Sequence, residues 1–326
     1  MKSLRSDKGH LRAPLYTPAP LAATLAKRSA LADLSAMSTV YRDIEDFLHR
    51  TGGTLAKGPL ALVFAEDGAE LAGTLRHHLA AGFRQAVLFA PEGLALPADL
   101  PDAATVVRHD TLARGAVVAA LNRVIGAVPE GTWLYWGYNA EYLFHPFAET
   151  RSVAEMLAFH TEERRAAMLT SVIDLYPGDL TRHPGGVAVE DAWFDRAGYY
   201  ALPRTGPDGV ALDRQVDIFG GLRWRFEEHV PPERRRIDRI ALFRTRQGLQ
   251  VLPDLLLNEA ELNTHACAWH HNLTAAVASF RAAKALASNP GSRRAIAQFR
   301  WSGSERFEWQ AQQLMGLGMM EPGQWF

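Results

Sequence analysis

Asn139 and Glu141 stand two residues apart in the stretch Trp136-Gly137-Tyr138-Asn139-Ala140-Glu141-Tyr142-Leu143. One offers an amide oxygen, the other a carboxylate. Much later in the chain, Trp269-His270-His271-Asn272 offers two imidazoles. Oxygen and imidazole donors brought together are the chemistry of a divalent-cation site. Hard cations favour several oxygen ligands with net negative charge, so Asn139 plus Glu141 is a sparse set. Adjacent histidines point in different directions, so at most one of His270 and His271 enters a shared site. The competing reading is a histidine at a helix start, bonded to backbone. Cys267 beside them reads as a small buried hydrophobe rather than a nucleophile. As the single cysteine it excludes an internal disulfide, which fits a reducing cytoplasm.

Other candidates are set by position. Glu66 and Asp67 follow the apolar run Leu60 to Phe64, at the edge where parallel sheets bind ligands. Ordinary turn chemistry is the alternative, since Asp67-Gly68 is a turn signal. Residues 221–246 hold eight arginines, among them Arg223, Arg225, Arg234 and Arg239. Trp224, Phe226 and Phe243 interleave with them, a pattern also seen in single-strand nucleic-acid binders. A net charge of −1 and the diluting Glu227, Glu228, Glu233 and Asp238 argue against nucleic acid. Arginines gripping a phosphorylated ligand fit better, beside a plain surface ion-pair network. Asp217, Glu227 and Glu228 are the candidate general bases, with ion pairing to Arg223 and Arg225 as the alternative.

The positioning elements follow from periodicity. At 326 residues, with 48% hydrophobic and 22% charged residues, the chain is long enough for one large globular domain with an extension. Leu60 to Phe64 predicts a strand buried on both faces. Residues 69–81 predict a helix, Ala86 to Phe89 a strand, Thr105 to Arg108 a third strand, 114–127 a helix and Thr132 to Trp136 a strand. This alternation indicates an α/β fold, a mostly parallel sheet with helices on both faces. Ser152 and Glu155 start a further helix with a capping signal, and 167–174 predict a strand. Residues 185–220 are expected to be loop-rich and 272–287 helical. Three regions are expected: an N-terminal arm and helix (1–57), the α/β domain (58–290) and a mixed C-terminal extension (291–326). Leu21 to Leu48 show helical spacing within that first region. Pro14, Pro18 and Pro20 interrupt the basic N-terminus, so no secretory signal is expected, and no apolar run is long enough to span a bilayer.

In this order, certain motifs resemble family 2 glycosyltransferases. Leu62-Val63-Phe64-Ala65-Glu66-Asp67-Gly68-Ala69-Glu70-Leu71, then Leu75-Arg76-His77-His78 and Gly82-Phe83, is similar to that family's first strand, acidic turn and helix. Glu141-Tyr142-Leu143 and Pro146 resemble the end of its Asp-x-Asp segment. His271, Ser279, Phe280 and Lys284 resemble a late pattern of a histidine followed by a helix. The resemblance covers roughly residues 58–290. It implies a GT-A-like fold with a nucleotide-binding half and an acceptor half, a nucleotide-sugar donor, a glycan or lipid-linked acceptor, and Mn2+ or Mg2+. On that reading Asn139, Glu141 and His271 or His270 hold the metal. Glu66 and Asp67 touch the nucleoside, and Arg223 and Arg225 the diphosphate. One of Asp217, Glu227 and Glu228 takes the acceptor proton. The chain departs from the family in two respects. The Asn/Asp-x-Ser-x-Asp-like loop that follows the family's second strand is here Phe89-Ala90-Pro91-Glu92-Gly93, with Glu92 the one acid that could replace its uridine-contacting residue. The metal motif is also altered. If Glu141-Tyr142 sets the register, the metal-binding aspartates fall on Tyr138 and Ala140; slipped by one, Asn139-x-Glu141 is a degenerate form. A catalytically inactive GT-A-like binding or assembly protein is therefore the second expectation. A Rossmann dinucleotide enzyme is the third, lacking its glycine fingerprint.

Overall fold

The computed structural model describes residues 39–51, 55, 58–265 and 272–325. The chain divides into two units, Met1–Met37 and Ser38–Phe326; all that follows concerns the second. Cys267, Trp269, His270 and His271, and the helical spacing expected before residue 39, lie outside the described residues.

The first half alternates strand and helix: β1 (Thr39–Tyr41), α1 (Ile44–Thr51), β2 (Leu60–Phe64), α2 (Leu71–Ala80), β3 (Gln85–Ala90), β4 (Ala104–Arg108), α3 (Ala116–Ala127) and β5 (Trp133–Tyr138). A tight turn leads to β6 (Glu141–Phe144), then α4 (Val153–Glu162), β7 (Ala167–Asp174) and β8 (Tyr176–Pro177). The second half adds β9 (Ala192–Asp195), the hairpin β10 (Tyr200–Thr205) and β11 (Ala211–Phe219), α5 (Gly221–Arg225), β12 (Asp238–Arg244) and β13 (Ala275–Ser279). It ends with α6 (Arg281–Ser288), β14 (Ser304–Arg306) and α7 (Ala311–Gly316).

Nine strands form the main sheet in the order β1-β4-β3-β2-β5-β12-β7-β13-β6. β1, β4, β3, β2 and β5 run parallel. β12 is antiparallel to both β5 and β7, β13 is parallel to β7, and β6 is antiparallel to β13. The expected α/β class with a mostly parallel sheet is what the chain forms. Ala61, Val63, Ala86 and Leu88 pack with Leu71 and Leu75 of α2 and Val153 and Met156 of α4. On the other face Leu62, Phe64, Val87 and Phe89 pack with Phe47 of α1 and Leu121 and Val124 of α3. Both faces are covered, which is why β2 reads as an unbroken apolar run. The capping box at α4 is present: Ser152 Oγ accepts from Glu155 N–H, and Glu155 accepts from Ser152 N–H.

Two expectations change. Residues 272–287 are not one helix: Ala275–Ser279 is a strand between β7 and β6, and the helix begins only at Arg281. The expected loops of 185–220 contain β9 and the β10–β11 hairpin. Among the described residues no helix is long and apolar enough to cross a membrane.

Two buried histidines of this core carry an acid-stability prediction. His78 on α2 stacks on Tyr135, with ring centroids 4.6 Å apart, and Nδ1 donates to Thr74 O. Burial, aided by neighbouring His77, pushes its pKa down to about 3. Burial pushes His160 on α4 down to about 4. Both stay neutral in the fold, while the unfolded chain takes up protons near 6.5. The unfolded state binds more protons below that point, so stability is present above it and lost as pH falls. Urea melts should show about 2 kcal/mol lost between pH 6.5 and 5.5 from these two groups. Replacing both histidines by glutamine should flatten the slope; an unchanged slope would refute the assignment.

Candidate functional site

After β2 the chain turns outward to β3 and β4, then returns to place β5 on the other side of β2. Outside the carboxyl ends of β2 and β5 this leaves the crevice in which open α/β sheets bind ligands. Glu66 and Asp67 leave β2 there, and Asn139 leaves β5. Asn139 ties the two loops together. Its Oδ1 accepts from Glu66 N–H at 2.8 Å, and its Nδ2 donates to Asp67 Oδ1 at 2.7 Å and Ala69 O at 2.8 Å. It is fully buried. Ala140 next to it turns the chain back with φ 58°. A non-glycine residue in that left-handed region is held there by its surroundings: Ala140 N–H donates to Thr74 Oγ1, and Ala140 O accepts from Phe280 N–H.

A cavity of about 450 Å³ opens beside these loops. Its walls carry Glu66 and Asp67 on one side, Arg281 and Lys284 of α6 on another, and Arg223, His229 and Arg234 from the segment after β11. Val230, Pro231 and Leu286 supply apolar wall. Four cationic side chains (Arg223, Arg234, Arg281, Lys284) face two carboxylates (Glu66, Asp67), an excess of two positive charges among the arginines, lysine and carboxylates of the lining. Arg281 grips Glu66 through Nε at 2.8 Å and Nη2 at 2.7 Å, and lies 3.7 Å over the Tyr138 ring. Lys284 Nζ donates to Asp67 Oδ2 at 2.9 Å. Partial burial works to raise the Asp67 carboxyl, but Lys284, the Ala69 N–H and Asn139 outweigh it and hold the pKa below the usual value.

Arg223 reaches the cavity from α5. Its Nη1 donates to Arg236 O, and its Nε lies 3.3 Å from Asp174 Oδ1 at the end of β7. Burial pushes Asp174 up in spite of that partner. Arg225, two residues on, does not line the cavity. It donates to Asp195 Oδ2 at 2.7 Å and Phe299 O at 2.8 Å, and sits against Tyr176, Phe226 and Trp301.

The three candidate bases lie apart. Asp217 is on β11, where Oδ1 accepts from Arg204 at 2.7 Å and Arg236 at 3.1 Å. Glu227 is solvent-facing and pairs with Arg235 at 3.3 Å. Glu228 is exposed, its Oε1 3.8 Å from Nε2 of the cavity-lining His229.

Glu141 is the most constrained residue of the set. It is fully buried at the start of β6. Oε1 accepts from Arg239 Nη2 at 2.8 Å and Ser279 Oγ at 2.9 Å; Oε2 accepts from Arg239 Nη1 at 2.6 Å and Tyr138 N–H at 2.9 Å. Desolvation works to raise its pKa, yet Arg239 foremost, then Arg281 and the Tyr138 N–H, bring it down to about 2. A carboxylate offers about four lone-pair directions, and four donors occupy them. Asn139 has its amide hydrogens and one oxygen lone pair committed to the β2–α2 loop. These two residues therefore do not offer a cation the first shell that an oxygen-ligated metal needs. Among the described residues no group of three or more His, Cys, Asp or Glu is gathered as a metal site. His270 and His271 lie outside those residues.

Arg281 escaped the sequence reading, Arg234 entered it only as one of the eight arginines of 221–246, and Lys284 only through the late motif. The signal was the change from strand to helix at Phe280, which aims residues 281 and 284, one helical turn apart, into the cavity. Compared with known proteins, the chain matches no family model and no curated sequence.

Proposed function

We propose that this cavity binds a nucleoside-diphosphate sugar, and that the protein is a divergent GT-A-like, family 2-like glycosyltransferase acting on a glycan or lipid-linked acceptor. The observation that carries this reading is the cationic cavity at the carboxyl end of β2 and β5, where Glu66, Asp67, Arg223, Arg281 and Lys284 converge. Carboxylates suit ribose hydroxyls and base N–H groups, guanidinium and ammonium groups suit phosphate oxygens, and the apolar wall at Val230, Pro231 and Leu286 suits a base ring.

In the reaction, the acceptor oxygen forms a bond to the anomeric carbon while the bond from that carbon to the diphosphate breaks. The acceptor proton passes to a base, and the leaving diphosphate keeps the electron pair. Developing charge on the diphosphate is met by fixed cations, the usual large term in such transfers. Of the candidate bases, Glu228 stands beside the cavity through its contact with His229, whereas Asp217 and Glu227 are engaged by arginines elsewhere. A base must come within hydrogen-bond reach of the acceptor hydroxyl, which favours the Glu228–His229 pair.

The saturation of Glu141 favours a second reading, a GT-A-like protein that binds the nucleotide without turnover. Thermal melts with UDP-, GDP- and CMP-sugars test the shared premise. At ligand concentrations about 100 times Kd, binding adds about 2.7 kcal/mol by mass action, an upward shift of a few degrees for a domain this size. No shift with any donor, in a protein that melts cooperatively, would sink both readings. Acceptor-dependent release of the nucleoside diphosphate separates a transferase from a binding protein.

A further inference from the structure

We infer that the cavity grips its diphosphate without a divalent cation, the charge that a bridging metal would supply coming from Arg281 and Lys284 with Arg223 and Arg234. This rests on the nucleotide reading above and goes beyond it, since the family resemblance implies Mn2+ or Mg2+.

Three observations lead there. The position that resembles the metal motif is closed: all four lone-pair directions of Glu141 are taken by Arg239, Ser279 and the Tyr138 N–H, inside the protein and away from solvent. Opening it would strand the buried Arg239, a cost that a weakly held cation does not offset. Secondly, the two carboxylates that do line the cavity, Glu66 and Asp67, are each neutralised by a cation at 2.7–2.9 Å. A metal entering between them meets four positive side chains. Thirdly, those side chains sit where phosphate oxygens would need them. Arg281 presents a planar fork backed by the Tyr138 ring, held for bidentate contact, and Lys284 lies one helical turn on along the same wall.

Binding then proceeds as an exchange of partners. Phosphate oxygens take Arg281 and Lys284 from Glu66 and Asp67, and the released carboxylates turn to the ribose hydroxyls. The negative charge that the diphosphate brings is then met by Arg223 and Arg234, the cations that the cavity holds in excess of its two carboxylates. In the free protein the two ion pairs keep the β2–α2 loop and the start of α6 in register.

Calorimetric titration of the full chain with UDP, GDP and CDP, in EDTA and again in Mn2+, decides the matter. We expect at least one diphosphate to bind in EDTA with a Kd within about threefold of its value in Mn2+, or tighter. Lys284→Met and Arg281→Met should each weaken that binding about tenfold or more, with Lys284→Arg restoring much of it. Thermal melts of each variant keep a folding defect from being mistaken for lost contact, and Lys284→Met, whose partner Asp67 is half-exposed, should melt near the parent. Binding that appears only with Mn2+ overturns this inference and leaves the nucleotide reading standing. No binding in either condition overturns both. Binding in EDTA that neither substitution weakens would put the diphosphate elsewhere and also defeat it.

Discussion

Replacing Arg239 by alanine should cost about 3–5 kcal/mol of stability at pH 7, because it leaves the Glu141 carboxylate buried without its charge partner. Arg239 lies on β12, the strand that runs against its neighbours, and its guanidinium sits 4.9 Å over Trp136 and 5.7 Å over Tyr138. From there it reaches both oxygens of Glu141. The loss should depend on pH in a definite sense. In the parent, the folded pKa of Glu141 is lowered from 4.5 to about 2. A lowered carboxylate contributes stability in full above its ordinary pKa and loses it as pH falls toward the folded value. In the Arg239→Ala protein the chief lowering influence is gone, and burial drives the same carboxyl upward. Its folded state then takes a proton more readily than its unfolded state and gains stability on acidification. The gap between parent and variant should therefore narrow from pH 7 to pH 4 in urea melts. A double substitution, Glu141→Leu with Arg239→Met, should recover much of the single-variant loss, since an apolar pair of similar size leaves no stranded charge. A loss under about 1 kcal/mol, or a gap indifferent to pH, would mean the pair is not the lock described.

This pair also marks where sequence reasoning ran out. The Leu60–Phe64 run could be read locally, since burial on both faces forbids polar alternation. So could the Ser152–Glu155 cap, whose partners are three residues apart. That Glu66 and Asp67 lie at the carboxyl edge of the sheet was legible, because position after the first buried strand decides that. The fate of Glu141 was not legible. Its partners Arg239 and Ser279 are 98 and 138 residues away, joined only when β12 and β13 enter the sheet. The 272–287 segment misled for a related reason. Ala275-Ala276-Val277-Ala278 has strong helix formers and no alternation, so propensity and periodicity both fit a helix. Tertiary context overrides them, because a slot between β7 and β6 admits a chain apolar on both faces with small side chains. Reading that stretch as helix moved Arg281 and Lys284 off their true place at a helix start, and with them the cationic wall. The β10–β11 hairpin was missed because most of its residues are exposed or half-buried, so the apolar periodicity of a sheet face is weak there.

That wall is also where a remote substitution should act. Gly186, in the loop between β8 and β9, has φ +76°, and a Cβ placed there would lie 2.6 Å from Ala283 O and 2.9 Å from Lys284 N. These are backbone atoms of α6, so no flexible side chain can swing aside. Gly186→Ala must either push α6 away or leave the left-handed conformation, which by itself costs a side-chain-bearing residue about 1–2 kcal/mol. Overpacking adds about 1–3 kcal/mol, so a total near 3 kcal/mol is expected in chemical denaturation. The consequence for function is more specific than the loss of stability. Arg281, Lys284 and Leu286 all line the cavity from this helix, and Arg281 and Lys284 hold Glu66 and Asp67 across it. A shift of α6 by even a few tenths of an ångström disturbs both ion pairs together, whereas Lys284→Met removes one. Gly186→Ala should therefore weaken diphosphate binding at least as much as Lys284→Met, at a temperature where the variant is still folded. Gly248 is the control: its φ of +79° carries the same backbone strain, but a Cβ there meets nothing. Gly248→Ala should lose stability through strain alone and bind as the parent does. Equal binding by the parent and both glycine variants would show that the position of α6 does not set the cavity.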